Sequence, residues 1–219
     1  MPRPARPISL LWKQHLPTRL DWISIFDDIV QLISLDQAFS EEQLVLSMTS
    51  GSWVEPALWR LLSIRPLHAG DQPENIMEEV CRLGTLIFIA PLWRMLGHSP
   101  VRTAAFSRNL LLVLTTHMIE WKELKPLLAW VLYFAAVETR DLFERSQLVV
   151  MLSIIMSGLH LNEWDDFMQL VTSVLWVENV YTGTDELIRD EVMATKSQLA
   201  LRPVRVEDPL VLWNNIEAS

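Results

Sequence analysis

The stretch HMIE sets His117 and Glu120 three residues apart. On a helix that spacing puts an imidazole and a carboxylate on one face, the beginning of an acid–base pair or half a metal site. A polar contact at a helix end uses the same two residues and is the plainer reading. The five histidines (15, 68, 98, 117 and 160) never fall three or four apart, so no local histidine pair forms for a metal. Four acid doublets, Asp27-Asp28, Glu41-Glu42, Glu78-Glu79 and Asp165-Asp166, offer paired carboxylates. Neighbours on a helix point about 100° apart, so a doublet cannot share one substrate. Asp27-Asp28 and Asp165-Asp166 also lack the further acid that a helical diphosphate-binding motif would use for magnesium. Three doublets fall where helices are expected to start, and compensation of the helix dipole accounts for them.

The remaining chemistry is sparse. Cys81 is the lone cysteine, which rules out an internal disulfide and a cysteine-based zinc site, and its apolar surroundings predict an inert buried thiol. The six glycines are scattered, with neither a dinucleotide fingerprint nor a phosphate loop. No Gly-x-Ser-x-Gly elbow occurs. Ten tryptophans are the compositional anomaly. Trp93, Trp130 and Trp176, with Phe134, lie in apolar segments and form the candidate surface for an apolar ligand or a partner; aromatic residues at helical spacing otherwise build core. No catalytic residue, metal or cofactor is expected.

The elements that must position these residues are helical. The 219 residues suit one domain with a sizeable core; half are apolar and 21% charged, as in a folded protein. At a net charge of −9, binding through nucleic-acid phosphates is disfavoured. Residues 127–137 are wholly apolar but too short to span a bilayer, and the apolar run 148–161 is interrupted by Ser153, Ser157, Gly158 and His160. Both suit helices buried within a soluble protein, although a mean hydropathy of +0.21 keeps a multi-span membrane protein as the alternative.

The expected organisation is an irregular all-α bundle. A flexible arm at 1–19 precedes an N-terminal helical subdomain at 20–66, where Leu20, Ile23, Phe26, Ile29, Val30 and Ile33 share a helical face. Ser40 opens a capping box, and a helix over 53–64 stops at Pro66. After the break LHAGDQPEN a core domain covers 73–196. Its first helix is expected over 73–90, with Glu74, Glu78 and Glu79 favouring the dipole, Pro91 kinking or ending it and Gly97 closing the segment. Further helices are expected over 103–117, over 127–139 with Pro126 in the first turn, and over 142–157 ended by Gly158. Asn162 is then expected to cap a helix that loads Glu163, Asp165 and Asp166 into its first turn and puts Trp164, Phe167, Met168, Val171, Val174 and Leu175 on one face. Thr184 starts a short final helix, and 197–219 form a tail in which Trp213 could dock.

Taken in order, EEVCRLGTLIFI, an arginine-bearing helix, WKELKPLLAWVLYFAAVETRDLFERSQLVVML and LHLNEWDDFMQLVTSVLWVEN resemble the C-terminal part of the fungal-specific transcription factor regulatory domain. That domain accompanies binuclear zinc-cluster proteins, and the resemblance covers about residues 74–193. It implies a nuclear helical domain that controls activation, with metabolite sensing as one mode, and no catalytic residues. The zinc cluster needs six cysteines, and this sequence has one. The expectation is therefore a regulator of gene expression with no DNA contact or membrane of its own. It would act through a protein partner, a zinc-cluster factor or a second copy, or through a small-molecule effector, in the nucleus or otherwise the cytoplasm. A small helical enzyme on an apolar substrate is the second alternative.

Overall fold

A computed structural model describes residues 71–95, 103–117 and 120–201, together with Trp22, Ile25, Phe26, Ile29, Leu61, Leu62 and Leu67. The arm at 1–19, the Ser40 capping box, most of 20–66, Gly97 and the tail beyond Leu201 with Trp213 lie outside the described residues. What is described is all-α, with no strand among these residues. The helices are α1 (Pro73–Met95), α2 (Thr103–Thr116), α3 (Lys125–Glu138), α4 (Leu142–Gly158), α5 (Trp164–Val174), the single turn α6 (Glu178–Tyr181) and α7 (Glu186–Leu201). A 3-10 turn, Lys122–Leu124, leads into α3.

The most apolar run of the chain becomes the centre. Every residue of α3 from Leu127 to Ala136 is buried, because α1, α2, α4, α5 and α7 all pack around it. A helix that is apolar on all sides needs such a sheath. Each large side chain buried there contributes about 1.5–3 kcal/mol. Gly84 lets α1 approach α3 closely: a Cβ at that position would stand 2.5 Å from Val131 Cγ2. Between α4 and α7, the Ser153 hydroxyl shares its one hydrogen between the Val149 carbonyl at 2.8 Å and the Val192 carbonyl at 3.1 Å. Trp22, Ile25, Ile29 and Leu61 are buried in the same hydrophobic cluster as the 73–201 helices.

Helix ends follow local chemistry, not always the expected residue. Pro126 stands in the first turn of α3 as its fixed φ favours, and Asp141 caps α4 by accepting from the Phe143 and Glu144 amides at 3.0 and 2.9 Å. Helix α4 ends at Gly158, its last helical residue, and the left-handed turn that closes it falls on His160 at φ 58°. His160 N donates to the Ser157 carbonyl at 3.1 Å and Leu161 N to the Met156 carbonyl at 2.9 Å, a Schellman closure.

Asn162 is not the cap of α5; Glu163 precedes that helix without a side-chain bond, and Asn162 Oδ1 accepts from Lys196 Nζ of α7 at 3.1 Å. Helix α1 runs through Pro91 to Met95, although the proline cannot donate to the Ile87 carbonyl. The final helix is 16 residues long and passes the expected edge at 196 to reach Leu201.

Candidate functional site

Trp130, Tyr133 and Phe134 fall at helical spacing on α3 and face the segment 175–184, which joins α5 to α7. Phe88 of α1 completes the floor, with its ring 5.1 Å from Trp130 and 4.8 Å from Phe134. Tyr181 closes over them, 4.6 Å from Phe134 and 5.3 Å from Phe88. Trp176 lies across the outer side, tilted, at 6.1 Å from Tyr133, 6.0 Å from Phe134 and 5.5 Å from Tyr181. The cluster extends through Phe26, whose ring meets Trp130 edge-on at 6.3 Å. Edge-to-face and tilted contacts at these separations are the favoured geometry of aromatic rings.

The polar atoms of the rings are spent on the fold. Trp130 Nε1 donates to the Leu175 carbonyl at 2.9 Å. The Tyr181 hydroxyl donates to the Phe88 carbonyl, one residue beyond the Ile87 carbonyl that Pro91 leaves without its helical donor. Tyr133 Oη and Thr184 Oγ1 share a hydrogen bond of 3.1 Å, and Thr184 Oγ1 also reaches the Tyr181 carbonyl at 2.7 Å. Burial pushes the Tyr133 phenol up to about 12, the Thr184 bond opposing it. Burial, then the Glu138 carboxylate, raises Tyr181 well above the ordinary phenol range. Both phenols are therefore protonated near neutrality and are hydrogen-bonding groups, not bases. Near Tyr181, Arg94 Nη2 clasps both carboxylate oxygens of Glu138 at 2.8 and 2.6 Å.

Of the four residues expected to form a ligand or partner surface, Trp130 and Phe134 are fully buried and touch each other at 5.2 Å. Trp176 is half-buried beside them, and Trp93 belongs to α1 with its side chain outside the described residues. Tyr133, Tyr181 and Phe88 were not singled out from sequence. The chain has only two tyrosines, Tyr133 within an apolar run and Tyr181 beside a turn-rich one, and that scarcity was the available signal.

The other candidates disperse. Helix α2 ends at Thr116, so His117 and Glu120 fall in the connection to α3 and not on one helical face. Glu78 and Glu79 lie beyond the first turn of α1 and are buried, which overturns their dipole role. Glu79 instead holds Arg82 through bonds of 2.7 and 2.5 Å, and Arg82 Nη1 donates to the Leu61 carbonyl at 3.1 Å. Asp165 and Asp166 are exposed in the first turn of α5, as expected. Cys81 is buried, and burial, with the Glu78 charge, lifts its thiol far above the ordinary range. Among the described residues no three His, Cys, Asp or Glu side chains gather for a metal, and no helix is long and apolar enough to cross a membrane.

No family model, curated protein or solved structure matches this chain.

Proposed function

We propose that the chain is a regulatory domain that controls gene expression by protein contact or metabolite sensing and makes no DNA contact of its own. The reading assigns it no catalysis and places it in the nucleus with a zinc-cluster transcription factor as partner. It rests on the motif resemblance. The supporting observation is that the motif segments, in their order, occupy α1, α3, α4 and α5, which pack into one body around α3. The VETRDLFERSQ turn within that order leaves Leu142 and Phe143 79% and 68% exposed, apolar side chains that a like helical domain would cover.

Two measurements test it. A gel-shift titration of duplex DNA at low salt is expected to show no sequence-dependent complex, since 27 acidic residues outnumber 18 basic ones. Co-purification from nuclear extract is expected to recover a zinc-cluster protein, and less of it with Leu142→Ser/Phe143→Ser at unchanged helicity. Tight sequence-specific DNA binding by the chain alone, or recovery indifferent to that double substitution, overturns the proposal.

A further inference from the structure

We propose that the α3–α4 turn is a docking surface for an acidic, amphipathic peptide segment of a partner protein. Leu142 and Phe143 are its apolar centre, and Arg140 and Arg108 its anchoring charges. The inference rests on the partner contact proposed above and names the chemistry of the surface that meets this turn.

Helix phase points the two apolar side chains outward. Glu144 and Arg145, the next two positions of α4, face the bundle and are only 13% and 19% exposed. Glu144 meets Arg108 of α2 at 2.9 Å, and Arg145 meets Glu191 of α7 at 2.6 Å. Successive helical positions advance by about 100°, so exposed Leu142 and Phe143 stand on the side away from both neighbouring helices. Ser146 is exposed on that same side, and its hydroxyl donates to the Leu142 carbonyl at 2.8 Å. With the Asp141 cap, that bond gives the apolar pair an ordered helix start to stand on.

Charge decides what covers the pair. The acids around the turn already hold bonds within the fold. Glu138 takes Arg94 with both oxygens, and Glu191 takes Arg145 with both, at 3.1 and 2.6 Å. Glu144 takes Arg108 Nε, and Asp141 Oδ1 takes two amides. The guanidinium donors are not exhausted. Arg140 is exposed and holds no hydrogen bond or ion pair among the described residues. Arg108 is 72% exposed and gives only Nε to Glu144, which leaves both Nη groups without an acceptor among the described residues. The Glu144 bond and charge, with Asp141 adding to them, hold the Arg108 guanidinium above its ordinary pKa, which sets it beside the turn.

An apolar pair flanked by unspent donors is complementary to apolar side chains flanked by carboxylates. A nucleic acid would meet the donors through its phosphates and leave the apolar pair uncovered. An anionic membrane presents charge under a whole face of the protein, where the net charge of −9 opposes approach. A short peptide meets only the charges within a Debye length, about 8 Å in physiological salt.

The test uses fluorescence anisotropy of the full chain with a fluorescein-labelled peptide in which aspartate pairs alternate with leucine–phenylalanine pairs. One control peptide carries lysines for the aspartates, and the other serines for the leucines and phenylalanines. The acidic peptide is expected to bind, and both controls at least about threefold more weakly. Arg140→Glu at unchanged helicity is expected to weaken the acidic peptide about threefold to tenfold and to strengthen the lysine peptide, a reversal that a merely structural role would not give. No binding of the acidic peptide, equal binding of the acidic and lysine peptides, or an unshifted preference in Arg140→Glu overturns the proposal. So does capture by phosphatidylserine vesicles that the acidic peptide fails to displace. If Arg140→Glu does not fold, the comparison of peptides decides alone. Co-purification of a zinc-cluster protein indifferent to Arg140→Glu overturns this inference and leaves the proposed function; charge-selective peptide binding with no such protein recovered does the reverse.

Discussion

Replacing Gly84 with alanine adds one methyl group at the closest approach of α1 to α3. The new Cβ would lie 2.5 Å from Val131 Cγ2, 2.7 Å from Cγ1 and 3.0 Å from Cβ. Carbon atoms in contact prefer about 3.5–4.0 Å. Rotation of Val131 cannot relieve the clash, since its Cβ stays at 3.0 Å in every rotamer and a helical valine has one strongly favoured χ1. The two helices must therefore separate by several tenths of an ångström, against a core in which Val131 is fully buried. Such overpacking costs about 1–3 kcal/mol. Alanine gains about 0.5–1 kcal/mol over glycine in a helix interior. The net expectation is a loss of about 1–2 kcal/mol, read from urea midpoints at constant slope. Val131→Ala removes both Cγ atoms and leaves only the 3.0 Å Cβ contact, so Gly84→Ala should cost clearly less in that background. Equal effects of Gly84→Ala with Val131 and with Ala at position 131 would refute the close contact.

Three further outcomes are expected. Trp164 is 3% exposed and Asp166 exposed one turn face away, so Trp164→Asp should cost about 3–5 kcal/mol or abolish folding, whereas Asp166→Ala should cost about 1 kcal/mol or less; similar small losses in thermal melts would place the face of α5 wrongly. His160→Gly should stabilise by about 1 kcal/mol, since the exposed imidazole holds a left-handed φ of 58° that glycine adopts without strain, and a lower melting temperature would contradict the closure of α4 described above. Tyr133, Tyr181 and Cys81 all have pKa values raised in the folded state, so their stabilisation is full below the ordinary phenol and thiol range and is lost as pH climbs toward about 12 and beyond. Ultraviolet titration should show both tyrosines ionising together with loss of helicity; ionisation at the ordinary phenol pH in a fully helical chain would remove the burial assigned to them.

Elements with local signals could be read from the sequence. Pro126 at the start of α3, the acids of α5 and the apolar face of Trp164, Phe167 and Val171 needed only helical spacing and end chemistry to be placed. Features that depend on a distant residue could not. Asn162 is an excellent cap by type, yet its oxygen is taken by Lys196, which stands 34 positions away. The left-handed turn falls on His160 and not Gly158, because the Ser157 and Met156 carbonyls are satisfied by His160 N and Leu161 N, two and three residues past the glycine. Glu79 is drawn out of its dipole role by Arg82 and the Leu61 carbonyl, a contact that crosses the expected domain break. At the aromatic cluster, Trp130, Phe134 and Trp176 were legible as apolar rings. That Tyr181 would reach the Phe88 carbonyl, 93 residues earlier, was not.

The central position of α3 has a consequence during synthesis. The helix leaves the ribosome after α1 and α2 but before α4, α5 and α7, which cover its other sides. For that interval ten consecutive side chains, Leu127 to Ala136, destined for the interior, have only part of their sheath. Translation at about 5–20 residues per second stretches the interval to several seconds before α7 is available. The unfinished chain then presents the kind of surface that holdases grip. Its yield in a cell should depend on what escorts those ten residues as much as on the stability of the finished bundle.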